Sequence, residues 1–215
     1  MKKVRCLFCV AIVLLTIAYT SQANYVYDFK AFSGISGQFV SIPGLNLSVE
    51  VYADGAGAAF KFQNNSSISS AVCDIYFDDG DLLGISSINW GTQSAVRFST
   101  GASPSNLPGG NTLTPPFETS SPAERFSADS DNPVTKNGIS QGEWLTIKFD
   151  LINGSSFSNV ISQLNDSTLR IGLHIQTLPN SPNWNVSMPA VNLVPEPATI
   201  AILSLGGLLL FRRKK

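Results

Sequence analysis

Five aspartates in two short segments have the residue type and spacing to bind a metal ion. Three of them flank Gly80 in a predicted turn, and two alternate with other residues in a later loop. Calcium prefers about six to eight oxygen ligands, which carboxylates and backbone carbonyls on turns supply. The spacing is not that of an EF-hand, because no Glu closes the loop. No cofactor other than calcium is predicted, a solvated acidic turn is the alternative, and the candidate ligands are Asp78, Asp79, Asp81, Asp129 and Asp131.

The single histidine, His174, lies on the polar side of an alternating segment together with Arg170 and Gln176. A Ser-His-Asp relay would need this base between a nucleophile and an acid. No Gly-x-Ser-x-Gly motif surrounds a serine. One histidine also excludes a two-histidine zinc site. We therefore predict no catalytic residue and no enzymatic activity, with a secreted hydrolase as the least favoured alternative.

Trp184 is the aromatic residue whose surroundings best suit sugar binding. It lies in the polar segment 180–185, whereas Trp90 and Trp144 stand at the ends of predicted strands. An aromatic ring that is not needed in the core can stack on a sugar ring. A carbohydrate-binding module is therefore the alternative function, with Trp184 as the stacking residue.

Charge in this chain is unevenly distributed. Although the formal net charge is −1, the terminal segments hold half of the 14 basic residues, which leaves 7 basic and 14 acidic residues between positions 24 and 195. An acidic and sparsely charged surface disfavours nucleic acid and anionic lipid as partners. Cations and neutral polysaccharide are compatible with it.

Short alternating segments separated by Gly, Asn and Ser turns dominate the region between the termini. In Leu45–Tyr52 and Leu169–Gln176 every second residue is apolar, which is typical of half-buried strands. Further strands are predicted at 25–30, 37–42, 58–63, 71–77, 82–90, 95–99 and 144–152. This pattern predicts a mainly β fold, an antiparallel, jelly-roll-like β-sandwich.

One short helix interrupts the predicted strands. Phe157, Val160, Ile161 and Leu164 have helical spacing, with Ser155 or Ser156 as the N-cap. Residues 100–140 contain many prolines and are predicted to lack regular structure, with Phe117 and Phe126 holding this segment to the sandwich.

Cys73 is the one cysteine outside the N-terminal segment, so no disulfide can form within the exported part of the chain. Alternation places it on one face with Ala71, Ile75 and Phe77. No basic residue lies near it in sequence to activate the thiol. A buried structural thiol is predicted.

The N-terminus has the three parts of a secretory signal peptide. Lys2, Lys3 and Arg5 precede an apolar segment, and a small-x-small site ends at Ala23. Cleavage between Ala23 and Asn24 is predicted. The body of the protein is therefore expected outside the cytoplasm.

The C-terminus has a second tripartite pattern. Val194, Pro195, Glu196 and Pro197 precede an apolar run that extends to Phe211, and four basic residues end the chain. As a helix, residues 198–211 would span about 21 Å, which is short against a bilayer core of about 30 Å. A short transmembrane segment that is removed after export fits this length better than a permanent anchor.

This tail resembles the PEP-CTERM sorting signal of bacterial envelope proteins. The resemblance implies that an exosortase-type enzyme recognises Val194–Pro197 and removes the hydrophobic segment, so that the precursor is held in the inner membrane before processing. It also implies a setting of exopolysaccharide and biofilm. Segments of the body, among them Asp74–Gly80, resemble a type of exported domain found with such tails, and this resemblance supplies no catalytic residue to assign here.

The sequence thus predicts four segments: a signal peptide at 1–23, a β-sandwich domain at 24–178, a polar linker at 179–193 and the sorting tail at 194–215. The predicted function is that of an exported protein without catalytic activity, anchored in the membrane as a precursor and later located in the cell envelope or outside the cell. Exopolysaccharide is the expected partner, and nucleic acid is excluded.

Overall fold

The computed structural model describes residues 24–78 and 80–193. Within these ranges the strands are β1 Tyr25–Ala31, β2 Leu47–Asp54, β3 Gly57–Asn64, β4 Ala71–Asp78, β5 Leu82–Asn89, β6 Phe98–Thr100, β7 Ser127–Ser130, β8 Ile139–Ser140, β9 Trp144–Leu151, β10 Arg170–Gln176 and β11 Met188–Asn192. The helices are α1 Ala123–Phe126, α2 Val134–Asn137 and α3 Phe157–Asp166, and a 3-10 turn covers Gly110–Thr112.

These strands form one antiparallel sheet in the order β5-β9-β3-β2-β1-β11-β10-β4-β7-β6, with β8 paired to β4. The first half of β1 pairs with β2 and its second half pairs with β11. Because β5 also contacts β6, the two ends of the sheet lie together and the sheet is nearly barrel-shaped. The predicted mainly antiparallel β fold is confirmed, as one continuous sheet in which β1 joins two halves.

Alternation along the strands builds the main core. Leu47, Val49 and Val51 of β2 are buried, as the period of two predicted. The rings of Phe77 and Phe149 pack edge to face with centroids 4.5 Å apart, and Phe60 packs against both. Burying side chains of this size contributes about 1.5–3 kcal/mol each.

Helix α3 packs against this core as its apolar spacing predicted. Val160, Ile161 and Leu164 are buried. The backbone N–H of Ser156 donates to Asn159 Oδ1 at 3.0 Å, which satisfies one of the groups left free at the helix start. The predicted helix and its N-cap at Ser156 are confirmed.

A second, smaller core lies on the opposite face of the sheet. Tyr76 of β4 and Val191 of β11 point away from the main core, and the loop between β6 and α1 covers them. We call this cluster the outer core; its buried members are Phe32, Tyr76, Ala102, Leu107, Phe117 and Val191. Gly172 of β10 permits the contact, because a Cβ at this position would lie 2.7 Å from Leu107 Cδ2.

The proline-rich segment is therefore an ordered cover. The predicted anchoring by Phe117 and Phe126 is confirmed, since both are buried, Phe117 in the outer core and Phe126 in the main core. The prediction that residues 100–140 lack regular structure is wrong in part, because β7, β8, α1 and α2 lie within them. Short elements of this kind carry too few residues to show a periodic pattern.

Two further predictions about secondary structure are corrected. The predicted linker 179–193 contains β11, a strand in the middle of the sheet between β1 and β10. Pro189 lies within β11, and a proline is seldom found in a central strand because it has no backbone N–H to donate, so the sequence pattern did not indicate a strand there. The segment predicted as a strand at 37–42 contributes only an isolated bridge between Phe39 and Phe32.

Cys73 is buried, as predicted, but the alternation around it is interrupted. The register between β4 and β10 passes from His174–Asp74 to Ile175–Val72, so Cys73 is an extra residue in a β-bulge. Val72, Ile75 and Phe77 belong to the main core and Cys73 does not. Burial, followed by the charge of Asp74, raises the pKa of the Cys73 thiol to about 12. The thiol is thus an unreactive structural group.

Within residues 24–78 and 80–193, no helix is long and apolar enough to cross a membrane. The predicted signal peptide and sorting tail, including Ala23 and Val194–Pro197, lie outside the described residues.

Candidate functional sites

Two acid–base pairs cross from β4 to β10 on the outer face of the sheet. Asp78 is paired in register with Arg170, and Asp74 with His174. The pairs stand four residues apart on both strands, about 13 Å at the rise of a strand. Tyr76 lies between them on the same face and is fully buried in the outer core.

The pair of Asp78 with Arg170 fastens the loop that covers the outer core. The guanidinium binds the Asp78 carboxylate, donates to the carbonyl of Pro115 at 2.8 Å and also to that of Pro116. Its Cζ lies 5.3 Å from the centre of the Phe117 ring. Both side chains of the pair are largely buried. This arrangement uses three hydrogen bonds from the fixed fork of the guanidinium for positioning, a geometry that a lysine could not reproduce.

The pair of Asp74 with His174 continues into an exposed hydroxyl. Nδ1 of His174 lies 2.7 Å from Asp74 Oδ2, and its Nε2 lies 2.7 Å from Ser187 Oγ. A carboxylate only accepts, so Nδ1 of the neutral imidazole donates to Asp74 and Nε2 accepts from Ser187. The predicted position of His174 on the polar face is confirmed, since Ile171, Leu173 and Ile175 are buried in the core.

A second carboxylate adjoins Asp74 from the other side. Asp129 of β7 is paired in register with Asp74. Burial, and next the negative charge of Asp74, raise the pKa of Asp129 to about 6. The outer face therefore carries a row of side chains, Asp129, Asp74, His174 and Ser187, that we call the polar row.

A groove opens near the loop between β1 and β2. Its volume is about 430 Å³, which is in the range of ligand sites. Phe39 on its wall is 50 % exposed. The other lining residues are Ser36, Gly37, Gln38, Thr112, Leu113, Thr114, Pro115, Ser167, Arg170, Val191 and Asn192. We call it the Phe39 groove.

Close backbone contact between two loops builds this groove. Gly37 has φ +70°, a Cβ there would lie 2.2 Å from the carbonyl oxygen of Thr112, and both residues line the groove. Among the lining residues of the groove Arg170 alone carries a charge, and that charge is paired with Asp78. The groove thus combines an exposed ring with uncharged hydroxyl and amide side chains.

The aspartates predicted to bind calcium fall into two separate places. Asp78 and Asp81 lie at the turn after β4, whereas Asp129 is beside Asp74 and Asp131 accepts from Ser99 Oγ at 2.7 Å. Asp79 lies outside the described residues. Among those that the structure describes, no three His, Cys, Asp or Glu side chains are grouped for a metal ion. Calcium binding by these aspartates stays a prediction.

Trp184, the predicted stacking residue, is half-buried against the main core. Its indole N–H donates to the carbonyl of Pro179 at 3.0 Å, so the ring fastens the loop before β11. It borders a cavity of about 140 Å³, which is below the size of common ligand sites. Phe39 is more exposed than Trp184, and sequence patterns did not reveal this because Phe39 lies in a segment that was predicted as a strand.

Sequence reasoning did not find Asp74 and Ser187 as partners of His174. Asp74 lies 100 positions before the histidine. The two residues face each other only because β4 pairs with β10 in this register. Ser187 reaches the imidazole only because β11 returns along β10. Matching the polar positions of predicted neighbouring strands is the signal that could have suggested Asp74.

Comparison with known proteins gives a result at the C-terminus. Residues 193–215 match the family model described as the PEP-CTERM protein-sorting motif. No curated protein and no solved structure matches the chain. The motif implies an exported protein whose membrane-anchored precursor is processed by an exosortase-type enzyme. This chain is thus a carrier of a PEP-CTERM sorting motif at residues 193–215.

Proposed function

We propose that this protein is a component of the cell envelope or extracellular matrix that binds neutral exopolysaccharide through the Phe39 groove. Binding of this kind requires no chemical step, in keeping with the expectation of a protein without catalytic activity. The observation that carries the proposal is the groove itself, with its exposed ring among uncharged polar side chains.

The chemistry of the groove favours a neutral sugar. The apolar face of a pyranose ring can pack on Phe39, while hydroxyl groups meet Gln38, Thr112 and Asn192. The charge of Arg170 is paired with Asp78, which weakens its attraction for an anion, whereas the Lys30 ammonium lies 5.4 Å from the centre of the Phe39 ring and is the cation nearest to the proposed stacking surface among the described contacts. The acidic body disfavours an acidic polysaccharide further, through like-charge repulsion.

Affinity electrophoresis of the exported protein in gels that contain the producing cell's neutral polysaccharide tests this proposal. Phe39→Ala should weaken binding about tenfold, because the loss of one packed ring costs about 1.4 kcal/mol. Leu83→Ala is the matched control, since Leu83 is 44 % exposed and is not among the lining residues of the groove. Equal retardation of both variants and the parent protein would contradict the proposal.

The two aromatic candidates for sugar stacking, Trp184 and Phe39, can be compared in the same binding measurement. If the predicted stacking residue rather than Phe39 holds the sugar, Trp184→Phe should weaken binding while Phe39→Ala does not. We expect the reverse, because the Trp184 ring is held by Pro179 and the core.

The proposed route to the envelope has its own test. Removal of residues 1–23 and of the basic tail should leave a mature protein that begins at Asn24 and lacks Arg212–Lys215. Intact mass spectrometry of the exported protein measures both ends at once. A mature protein that retains Arg212–Lys215 at full abundance would contradict processing of the tail.

A further inference from the structure

The polar row places a hydroxyl, an imidazole and a carboxylate in the order that a nucleophilic serine requires. Ser187 Oγ and Asp74 Oδ2 each lie 2.7 Å from a different nitrogen of His174. Such a base takes the proton of the hydroxyl, and the acid holds the ring in the correct tautomer. Such a relay is recognised by its geometry, whatever the order of its three residues along the chain.

Burial along the row increases in the direction that a relay needs. The side chain of Asp74 is 4 % exposed and that of His174 is 15 % exposed, whereas Ser187 is exposed to solvent. The acid is therefore shielded from water, which strengthens its hold on the imidazole. The hydroxyl is open to a substrate.

Asp129 adds a second acidic group behind Asp74. When His174 accepts a proton, the positive imidazolium lies beside Asp74, and Asp129 stands on the next strand beyond Asp74, so the new charge meets an acidic environment. Carboxylates stabilise a developing positive charge most effectively when their positions are fixed before the reaction. The pairing of β4 with β7 and β10 fixes both carboxylates here.

We propose that Ser187 is a nucleophile for acyl transfer, with His174 as its general base and Asp74 as a positioning residue. The substrate class is a small acyl ester carried on a larger molecule, because Ser187 lies on an open surface beside the exposed Val186. This proposal is independent of the sugar groove and departs from the expectation of a protein without catalytic activity.

The reaction has two halves. Ser187 Oγ forms a bond to the ester carbonyl carbon while its proton passes to His174 Nε2, and the carbonyl π electrons move to oxygen. When the carbonyl re-forms, the bond to the alcohol oxygen breaks and the alcohol leaves with the proton from Nε2. Water then attacks the acyl-serine, giving its proton to Nε2, and Ser187 recovers that proton as the carboxylic acid departs.

A fluorophosphonate probe tests the nucleophile on the protein purified from producing cells. Attack by Ser187 Oγ displaces fluoride and leaves a phosphonylated serine that peptide mass spectrometry can locate. Labelling should occur at Ser187, be absent from Ser187→Ala, and be at least about 100-fold slower in His174→Gln, since general base catalysis contributes about 10²–10⁴-fold. Ser99→Ala is the matched control, because Ser99 donates to the carboxylate of Asp131 instead of to an imidazole.

Asp74 needs a measurement that separates positioning from folding. Asp74→Asn should slow labelling without preventing the cooperative unfolding transition, and Asp74→Glu should retain more labelling because it keeps a carboxylate. The new side chain in His174→Gln can still form hydrogen bonds to its neighbours, and the same unfolding measurement checks that this variant folds.

Ester turnover is the second measurement, with p-nitrophenyl acetate as the probe. Release of nitrophenol should fall to the level of the buffer in Ser187→Ala and remain in Ser99→Ala. Three results would each overturn the proposal: an unlabelled Ser187 in folded protein, labelling that persists at the same rate in His174→Gln, or nitrophenol release unchanged in Ser187→Ala. In those cases the hydroxyl is only a hydrogen-bond partner of His174.

Discussion

Two positions on β4, Asp74 in its middle and Asp78 at its end, carry the same acid in the same setting and yet differ in what they can do. Asp78 and Asp74 both lie on the outer face, and both pair with a basic residue of β10. At Asp78 the partner is a permanent cation that also binds loop carbonyls and the Phe117 ring. At Asp74 the partner is an imidazole whose other nitrogen meets an exposed hydroxyl.

This difference shows that the partner determines the role of a buried carboxylate. Arginine stays charged at all accessible pH values and presents a fixed fork of donors, so its pair with Asp78 holds structure. An imidazole can accept a proton on one nitrogen while the other nitrogen donates to a carboxylate, so the pair of His174 with Asp74 can take part in proton transfer. The outer core around Tyr76 keeps the two pairs apart.

The largest expected effect on stability is at Asp78. Asp78→Ala should lower the free energy of unfolding by about 3 kcal/mol, because it leaves Arg170 largely buried without its carboxylate partner. The Asp78 side chain is 11 % exposed and the Arg170 side chain is 17 % exposed. Urea denaturation measures this loss. Asp54→Ala is the matched control: Asp54 also pairs with a cation, Lys148, at 2.9 Å, but both side chains are far more exposed. Equal losses in the two variants would break the comparison.

A smaller effect, opposite in sign, is expected at Asp129. Its pKa of about 6 in the folded protein exceeds the unfolded value of about 3.9. As the pH rises from about 4 to about 6, residue 129 loses its proton in the unfolded chain before it does so in the folded protein. The Asp129 carboxyl therefore lowers the free energy of unfolding as the pH increases. Asp129→Asn should therefore raise stability at pH 7 by about 1 kcal/mol, allowing for solvent screening, and reduce the pH dependence between about 4 and 6.

Urea denaturation at a series of pH values checks this prediction. Asp131→Asn serves as the control, since it removes a carboxylate of the same loop that contacts Ser99 rather than Asp74. If Asp129→Asn destabilises the protein at pH 7, the Asp129 carboxylate holds a structural partner as Asp78 does, and the polar row around Asp74 resembles the pair of Asp78 with Arg170.

The smallest effect on stability is expected at Ser187. Ser187→Ala should change the free energy of unfolding by less than about 0.5 kcal/mol, because the hydroxyl is exposed and water can replace it at His174. Thermal unfolding of the variant and the parent protein provides the measurement. A loss comparable to that of Asp78→Ala would mean that Ser187 fastens β11 to β10 as a structural contact.

Local patterns in the sequence were sufficient where one element supplies the whole signal. The alternation in 45–52 and 169–176 located β2 and β10, and the helical spacing of Phe157, Val160 and Leu164 located α3. Phe117 and Phe126 were identified as anchors because large apolar residues in a polar loop have to be buried somewhere. The sorting motif at 193–215 is likewise local.

Tertiary structure decided everything that depends on which strands are neighbours. Only the pairing of β4 with β10 and β7 brings Asp74 to His174 and Asp129, and only the return of β11, which the sequence reads as a linker, brings Ser187 to the row. Register is a property of two strands, and a one-residue bulge at Cys73 changes which side chains face each other. The sequence by itself therefore determined the long periodic elements, such as β2, β10 and α3, and the sorting motif. The fold determined the short elements, the central strand β11 and the partners of each polar side chain, because long-range pairing depends on packing of the whole sheet.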